Sequence, residues 1–142
     1  MLVRQVGSIP ICGIDINGFA VLNSAFMIIC KTIPPFYLLG ILNSKLIKFY
    51  WKHKFEDKRI TFPKIKGSYL EEIPIKYIDG SSIESLAYDI YLKTNEGLCA
   101  DEEINKIDIL VYKIYGLSFS EILLVDPLTT ITMEEYEKGG IL

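Results

Sequence analysis

The chain has 142 residues, half of them apolar, which is enough for one domain with a real core and excludes a disordered chain. Its net charge of −3 hides an asymmetry: residues 1–66 carry ten Lys or Arg against three Asp or Glu (net +7), and residues 67–142 carry five against fifteen (net −10). A basic front half of this kind is compatible with contacts to phosphate groups.

Short apolar runs separated by turn residues predict a small β-meander over the first thirty residues. The Asn17-Gly18 pair is typical of a tight hairpin, because both central positions of a type I′ turn need a positive φ. The strands are predicted at 2–6, 10–16, 19–22 and 25–31.

An amphipathic helix is predicted over residues 35–53, directly after Pro34. Its apolar face is expected to be mainly structural and to pack against the meander through Leu39, Leu42, Leu46 and Phe49.

Pro74 restricts the chain around it to an edge strand at best. The remaining predictions here are a basic loop at 53–60, a strand at 60–63, one helical turn at 69–72 and an edge strand at 73–77.

Three helices are predicted in the acidic back half, because the first two begin and end at capping signals and the third begins at one. They cover 83–97 after a serine cap, 101–116 with Ile104, Ile107, Leu110 (or Val111) and Ile114 on one face, and a third segment capped by Ser118. The predicted fold class is therefore α+β, a small β-meander with a packed amphipathic helix, followed by a helical C-terminal tail. We divide the chain into residues 1–79 and a helical extension, 80–142, that packs on them.

The sequence contains no evident catalytic constellation. The segment Ile33–Tyr37 is similar to the loop with which adenine methyltransferases hold the target amino group, but Ile33 stands where that loop needs Asn or Asp. A glycine-rich strand-to-helix turn for S-adenosylmethionine is also missing. Asp15, Glu56 and Asp57 could be drawn as a nuclease Mg²⁺ site, yet a hairpin Asp is usually a turn residue. We therefore predict no catalytic, cofactor-binding or metal-binding residue.

The three cysteines, Cys12, Cys30 and Cys99, are widely spaced, and His53 is the only histidine, so no zinc site is predicted. We expect three buried thiols in a reducing cytoplasm. The first residues lack the pattern of a signal peptide. The most apolar stretch, about 36–50, is too short and too charged to span a bilayer, so no membrane contact is expected.

Basic residues cluster around and after the predicted helix, with Trp51 and several other aromatic residues between them. Phosphate binding needs such long cations on one surface, although a solvated helix face with a basic loop has the same pattern. The cluster consists of Lys45, Lys48, Lys52, His53, Lys54, Lys58, Arg59, Lys64 and Lys66.

Six short motifs follow one another over roughly residues 2–125. They are Arg4-Gln5-Val6-Gly7, Asp15 in the hairpin, Leu38–Leu46 (LLGILNSKL), Phe62-Pro63-Lys64, Leu70–Pro74 (LEEIP) and Ile107–Leu117 (IDILVYKIYGL). Their order resembles the TaqI-like C-terminal specificity domain of adenine-specific DNA methyltransferases and of fused, type IIG restriction–modification enzymes. No single motif is specific, and the order over the whole length carries the resemblance.

The resemblance implies that residues 1–79 form a DNA target-recognition domain, which selects double-stranded DNA for an adenine-N6 methyltransferase domain or subunit. The chain would hold no cofactor; S-adenosylmethionine, and possibly Mg²⁺, would belong to the parent enzyme. The predicted DNA-binding residues are Arg4, Gln5, Lys45, Lys48, Lys52, Lys54, Lys58, Arg59, Lys64 and Lys66. The alternatives are a protein-interaction module that uses the acidic helices at 83–125 and, more weakly, a small nuclease.

Overall fold

The computed structural model describes residues 1–18, 23–55 and 63–138. Within them, three short strands form an antiparallel sheet and seven helices accompany it, which confirms the predicted α+β class. The strands are β1 (Leu2–Arg4), β2 (Cys12–Gly13) and β3 (Ala25–Met27).

The strand order is β2-β1-β3, which differs from the consecutive order that a meander implies. β1 lies in the centre, with Val3 opposite Cys12 on one side and opposite Phe26 on the other. This position leaves the Val3 side chain fully buried, as expected for an apolar residue of a central strand. The predicted strand at 19–22 lies outside the described residues.

Ser44 divides the predicted helix into α1 (Pro35–Asn43) and α2 (Lys45–Phe55). Its backbone is extended (φ −63°, ψ 155°), and its hydroxyl donates to the carbonyl of Ile41 (2.7 Å) and accepts from the N–H of Ile47 (3.3 Å). The prediction of one continuous helix was therefore wrong, because a serine side chain can end one helix and begin the next.

The break also changes which side chains are buried. Leu42 is buried as predicted, whereas Leu39, Leu46 and Phe49 are only partly buried. Trp51, which the sequence placed among the basic residues, is 1% exposed and belongs to the core. The buried residues of the two helices are Tyr37, Leu38, Gly40, Ile41, Leu42, Ile47, Trp51 and Phe55.

The remaining helices are α3 (Gly67–Glu71), α4 (Ile83–Asn95), α5 (Asp101–Tyr115), α6 (Phe119–Val125) and α7 (Met133–Lys138). The three predicted tail helices are confirmed as α4, α5 and α6. Gly116 ends α5 with φ 74°, and Ser118 forms a reciprocal capping box with Glu121 at the start of α6. Helix α7 was not predicted, although Thr132 and Glu135 cap it in the same way.

Residues 73–77 form no strand among the described residues, so the weak prediction of an edge strand was wrong. Two tyrosine hydroxyls satisfy the backbone of this segment instead. Tyr37 Oη donates to the carbonyl of Lys76 (2.9 Å), and Tyr115 Oη donates to the carbonyl of Pro74 (2.6 Å). Side chains from α1 and α5 thus hold the segment in place of a neighbouring strand.

One continuous hydrophobic core joins the sheet, α1 and α2 to the helical tail. The most extensive contact between two elements is that of α1 with α4, where Gly40 faces Ile83. Val111 of α5 is fully buried in the same core as Val3 of β1. The division of the chain at residue 79 stays a prediction, but the two parts share their core.

The cysteines differ in exposure, which corrects the expectation of three buried thiols. Cys12 is buried, Cys30 is partly buried and Cys99 is exposed. Burial raises the pKa of the Cys12 thiol to about 12, so this thiol stays protonated. None of the described helices combines the length and hydrophobicity needed to cross a membrane.

Candidate nucleic-acid interface

The chain beyond β1 pairs with a second, distant segment. The N–H of Gly7 donates to the carbonyl of Pro63 (2.9 Å), and the N–H of Ile65 donates to the carbonyl of Gln5 (2.8 Å). Between these two bonds, Val6 faces Lys64 in an antiparallel bridge. Side chains of such a pair lie close together on the same face. The pairing therefore brings Lys64 to the part of the sheet that carries Arg4.

Arg4 lies on the face of the sheet that is turned away from the core. Val3 is fully buried, and because side chains alternate along a strand, Arg4 points to the opposite side and is exposed. Lys64 and Lys66 flank the buried Ile65 in the same manner and are also exposed. Three cations from two paired segments thus stand on the surface of this end of the molecule.

Aromatic rings lie under the ammonium group of Lys66 and under that of a fourth cation, Lys54. Phe55 of α2 stacks on Tyr69 of α3 with ring centroids 4.7 Å apart. Lys54 Nζ lies 4.9 Å from the Phe55 centroid, and Lys66 Nζ lies 4.9 Å from the Tyr69 centroid. Lys54 also donates to the Tyr50 hydroxyl (2.9 Å) and lies 3.3 Å from Glu72 Oε2. The hydrogen bonds to Tyr50 and Glu72 raise the pKa of Lys54, so it carries its charge.

These residues define what we call the basic surface: Arg4, Lys54, Lys64 and Lys66. The other three lysines of α2 lie on a different face of this helix from Lys54. At 100° per residue, Lys54 is about half a turn away from Lys45. These three residues are Lys45, Lys48 and Lys52. Lys52 is exposed and Lys48 is partly buried. The structure therefore separates the predicted DNA-binding residues into two groups. Lys58 and Arg59 lie outside the described residues, and Gln5 is partly buried with both backbone groups paired.

Lys45 is engaged with the helical tail. Its Nζ lies 2.7 Å from Asp126 Oδ2 and 3.9 Å from Asp108 Oδ2. Its backbone N–H, the first of α2, donates to Asp108 Oδ1 (2.8 Å). The predicted role of Lys45 in DNA binding is untested, but these two buried carboxylates compete directly with any phosphate for its ammonium group.

Sequence reasoning missed this buried cluster of Lys45, Asp108, Tyr112 and Asp126. Burial raises the pKa of the Asp108 carboxyl, although the N–H and ammonium of Lys45 oppose the shift. Burial and the two nearby carboxylates also raise the pKa of Tyr112. The polar Asp108 in the apolar stretch of α5 was the available signal, because an Asp on a buried helix face needs a partner.

The segment that resembles a methyltransferase loop is structural. Ile33 offers no polar side chain, and Pro34 and Pro35 begin α1. Tyr37 is 1% exposed, and its hydroxyl bonds to the backbone of residues 76 and 78. Phe36 packs edge-on against Tyr88 (5.1 Å between centroids). None of these side chains is available to hold a base.

Asp15 acts as a turn residue. Asp15 Oδ1 accepts from the N–H groups of Asn17 (2.8 Å) and Gly18 (3.2 Å), and Gly18 has a φ of 75°. Glu56 and Asp57 lie outside the described residues. Across residues 1–18, 23–55 and 63–138, no three His, Cys, Asp or Glu side chains converge as metal ligands would.

The structure thus defines an α+β module with a basic surface at one end and an acidic helical tail. Residues 1–75, more than half of the chain, match the family described as the TaqI-like C-terminal specificity domain. The chain belongs to this family, and the resemblance predicted from its motifs is confirmed over these residues. The family indicates a role in DNA sequence recognition in restriction–modification systems. No curated protein and no solved structure matches the chain.

Proposed function

We propose that this chain is the DNA-recognition part of a restriction–modification system, and that it holds a DNA site for an adenine-N6 methyltransferase domain or subunit. The family match over residues 1–75 is the observation that carries the proposal. The basic surface supports it, because Arg4 and Lys64 meet there through strand pairing rather than by proximity in sequence.

The basic surface would contact phosphates, which position a protein on DNA without selecting a sequence. Lys54 and Lys66 rest on aromatic rings, so part of the entropy that a free lysine loses on binding is already lost. Each neutralised phosphate releases counterions, and binding of the isolated chain to duplex of arbitrary sequence is expected at about 10⁻⁴ to 10⁻⁶ M at physiological salt.

Catalysis is assigned to the partner in this proposal. The methyltransferase would supply S-adenosylmethionine and the pocket for the extruded adenine, and any Mg²⁺ would belong to an accompanying nuclease. The residues of this chain would bind and orient DNA only. We place the complex in the cytoplasm, where such systems meet the DNA that they act on.

The test is the salt dependence of duplex binding, measured by fluorescence anisotropy for two quadruple variants. Replacing Lys58, Arg59, Lys64 and Lys66 with Ala should weaken binding to all sequences. It should also flatten the slope of log K against log salt by roughly 0.9 for each phosphate that is no longer neutralised. The control removes the same charge from the tail by replacing Lys93, Lys106, Lys113 and Lys138. Equal affinities for the first variant and the wild type would refute the assignment of residues 58–66 to the interface.

A second candidate function is a protein-interaction module, and an apolar groove favours it. The groove, of about 320 Å³, lies between α1, α4 and α5 and is lined by apolar side chains that include Leu39, Ile90 and Ile104. Ile104 is 43% exposed although the sequence predicted it on the core face. A chain that binds no duplex DNA even at low salt would leave this groove as the better candidate.

A further inference from the structure

Gly7 and Arg4 are in direct contact on the outer face of the sheet. A Cβ atom added to Gly7 would lie 2.7 Å from Arg4 Nη2 and 3.3 Å from Arg4 Cζ. The guanidinium therefore lies against the bare backbone of Gly7. Gly7 also has a φ of 154°, which side-chain-bearing residues rarely adopt. The backbone conformation at this position favours glycine, and a methyl group here would push the end of the Arg4 side chain aside.

The Arg4 guanidinium lies against Gly7 and is not neutralised. Within the described ranges, it has no carboxylate partner, and the residue is exposed. The surrounding outer face of the sheet is open, since Met27 is 61% exposed and Ile11 is 45% exposed. The pairing of Val6 with Lys64 adds a further cation to this face. A guanidinium that lies on an open face, and is unpaired among the described residues, is suited to an external partner with two acceptors.

We propose that Gly7 is a positioning residue that holds the Arg4 guanidinium for a bidentate contact with duplex DNA. The inference rests on the proposed function and deepens it. The planar fork of arginine matches the paired acceptors of a phosphate group or of the O6/N7 edge of guanine. Holding the fork against Gly7 before binding reduces the freedom that it loses in the complex.

The first experiment is a thermodynamic cycle of duplex binding with the wild type, Arg4→Ala, Gly7→Ala and the double variant. A bidentate contact predicts that Arg4→Ala weakens binding roughly 5- to 150-fold. Gly7→Ala should reproduce most of this effect because its methyl group displaces the fork. The double variant should bind no more weakly than Arg4→Ala. Arg4→Lys, which keeps the charge but not the fork, should not restore affinity.

Gly80→Ala serves as the control for backbone strain. Gly80 also has a positive φ (76°), but a Cβ there would meet nothing within 4 Å. Its Ala variant should bind DNA like the wild type. If Gly7→Ala fails to fold, the positioning role is tested instead by the NMR order parameter of the Arg4 Nε–H bond in the free wild-type protein. The chain contains only two arginines, so this NMR signal is readily assigned. A guanidinium as mobile as a free side chain would overturn the positioning role.

Selection of bound duplexes from a random library distinguishes a contact with guanine from a contact with a phosphate group. If Arg4 contacts guanine, one G should disappear from the enriched motif of Arg4→Ala; if it contacts a phosphate, the motif should persist at lower affinity. Unchanged binding by Arg4→Ala would overturn the contact, and unchanged binding by folded Gly7→Ala would overturn the positioning role. A wild-type chain that binds no DNA at low salt would instead refute the proposed function itself.

Discussion

At the scale of single residues, Asp108 has the most consequential position. Its Oδ1 accepts from the first N–H of α2, where an anion is favoured by the partial positive charge of a helix N-terminus. It is 3% exposed, and its Oδ2 has no hydrogen-bond partner among the described residues. A side chain of the tail thus caps a helix of the front half, at a cost in desolvation.

This cost predicts a measurable pH dependence for Asp108→Asn. Burial raises the folded-state pKa of Asp108 above its ordinary value of 3.8, so the folded state binds this proton more tightly than the unfolded state does. The contribution of Asp108 to stability therefore decreases as pH rises from about 4 through the raised pKa. Asn keeps an acceptor for the Lys45 N–H but does not ionise. The stability of Asp108→Asn relative to wild type should increase with pH.

The measurement is urea unfolding at a series of pH values from below 3.8 to neutrality. Asp89→Asn, an exposed change on α4, is the control and should show no comparable trend. The prediction is contradicted if the stability difference between Asp108→Asn and wild type does not change with pH, or if it increasingly favours the wild type as pH rises.

The sequence could not predict which side chains of the site contact one another. The basic residues could be identified from the sequence alone, because counting charged side chains requires no structure. However, Lys45 reaches Asp126 across 81 positions of the chain, and no local pattern indicates such a pairing. Lys64 is likewise brought to the strand that carries Arg4 by its bridge with Val6, which only the fold creates.

At the scale of elements, the sequence predicted the helices that carry their own caps. Ser118 with Glu121 and Gly116 are local signals, so α5 and α6 were placed correctly. The break at Ser44 was missed because the apolar spacing continues across it, although the Ser44 side chain forms local hydrogen bonds to both helices. Helix α7 begins at a Thr132–Glu135 capping box, a local signal that apolar periodicity does not reveal.

The contact of α1 with α4 predicts the effect of Gly40→Ala. The added Cβ would lie 2.7 Å from Ile83 Cγ2, and overpacking of this kind costs about 1–3 kcal/mol. Alanine regains about 1 kcal/mol of helix propensity over glycine, so a net destabilisation of up to about 2 kcal/mol is expected. The measurement is the free energy of unfolding in urea.

A second variant tests whether the collision itself is responsible. Ile83→Ala removes Cγ2, so Gly40→Ala should be neutral or stabilising in that background. Gly13→Ala is the control for adding a methyl group, since a Cβ there would meet nothing within 4 Å. Additive effects of the two substitutions would show that the close approach does not limit packing.

At the scale of the whole molecule, the shared core predicts that residues 1–79 do not fold alone. Ile41 and Leu42 of α1 belong to the core to which α4 and α5 contribute Ile83 and Val111. Removing the tail would expose these side chains to water, and each buried aliphatic side chain is worth about 1.5–3 kcal/mol. The fragment 1–79 should show no cooperative urea transition and no near-ultraviolet circular dichroism. A sigmoidal transition would support the predicted domain boundary instead.

A second prediction at this scale concerns catalysis. The family is that of a specificity domain, and the segment that resembles a methyltransferase loop has Ile33 where that loop needs Asn or Asp. The chain alone should therefore transfer no tritiated methyl group from S-adenosylmethionine to duplex DNA and should cut no plasmid in Mg²⁺. Turnover that co-purifies with the protein in two independent preparations would contradict this.

The cap that Asp108 places on α2 has a consequence for protein engineering. A graft of this module onto another enzyme that followed the family match would be cut after residue 75. A graft made there would leave α2 without Asp108 and Lys45 without Asp126. A transplant that carries the chain through Asp126, just past α6, keeps both partners, so the segment to move is longer than the segment that matches the family.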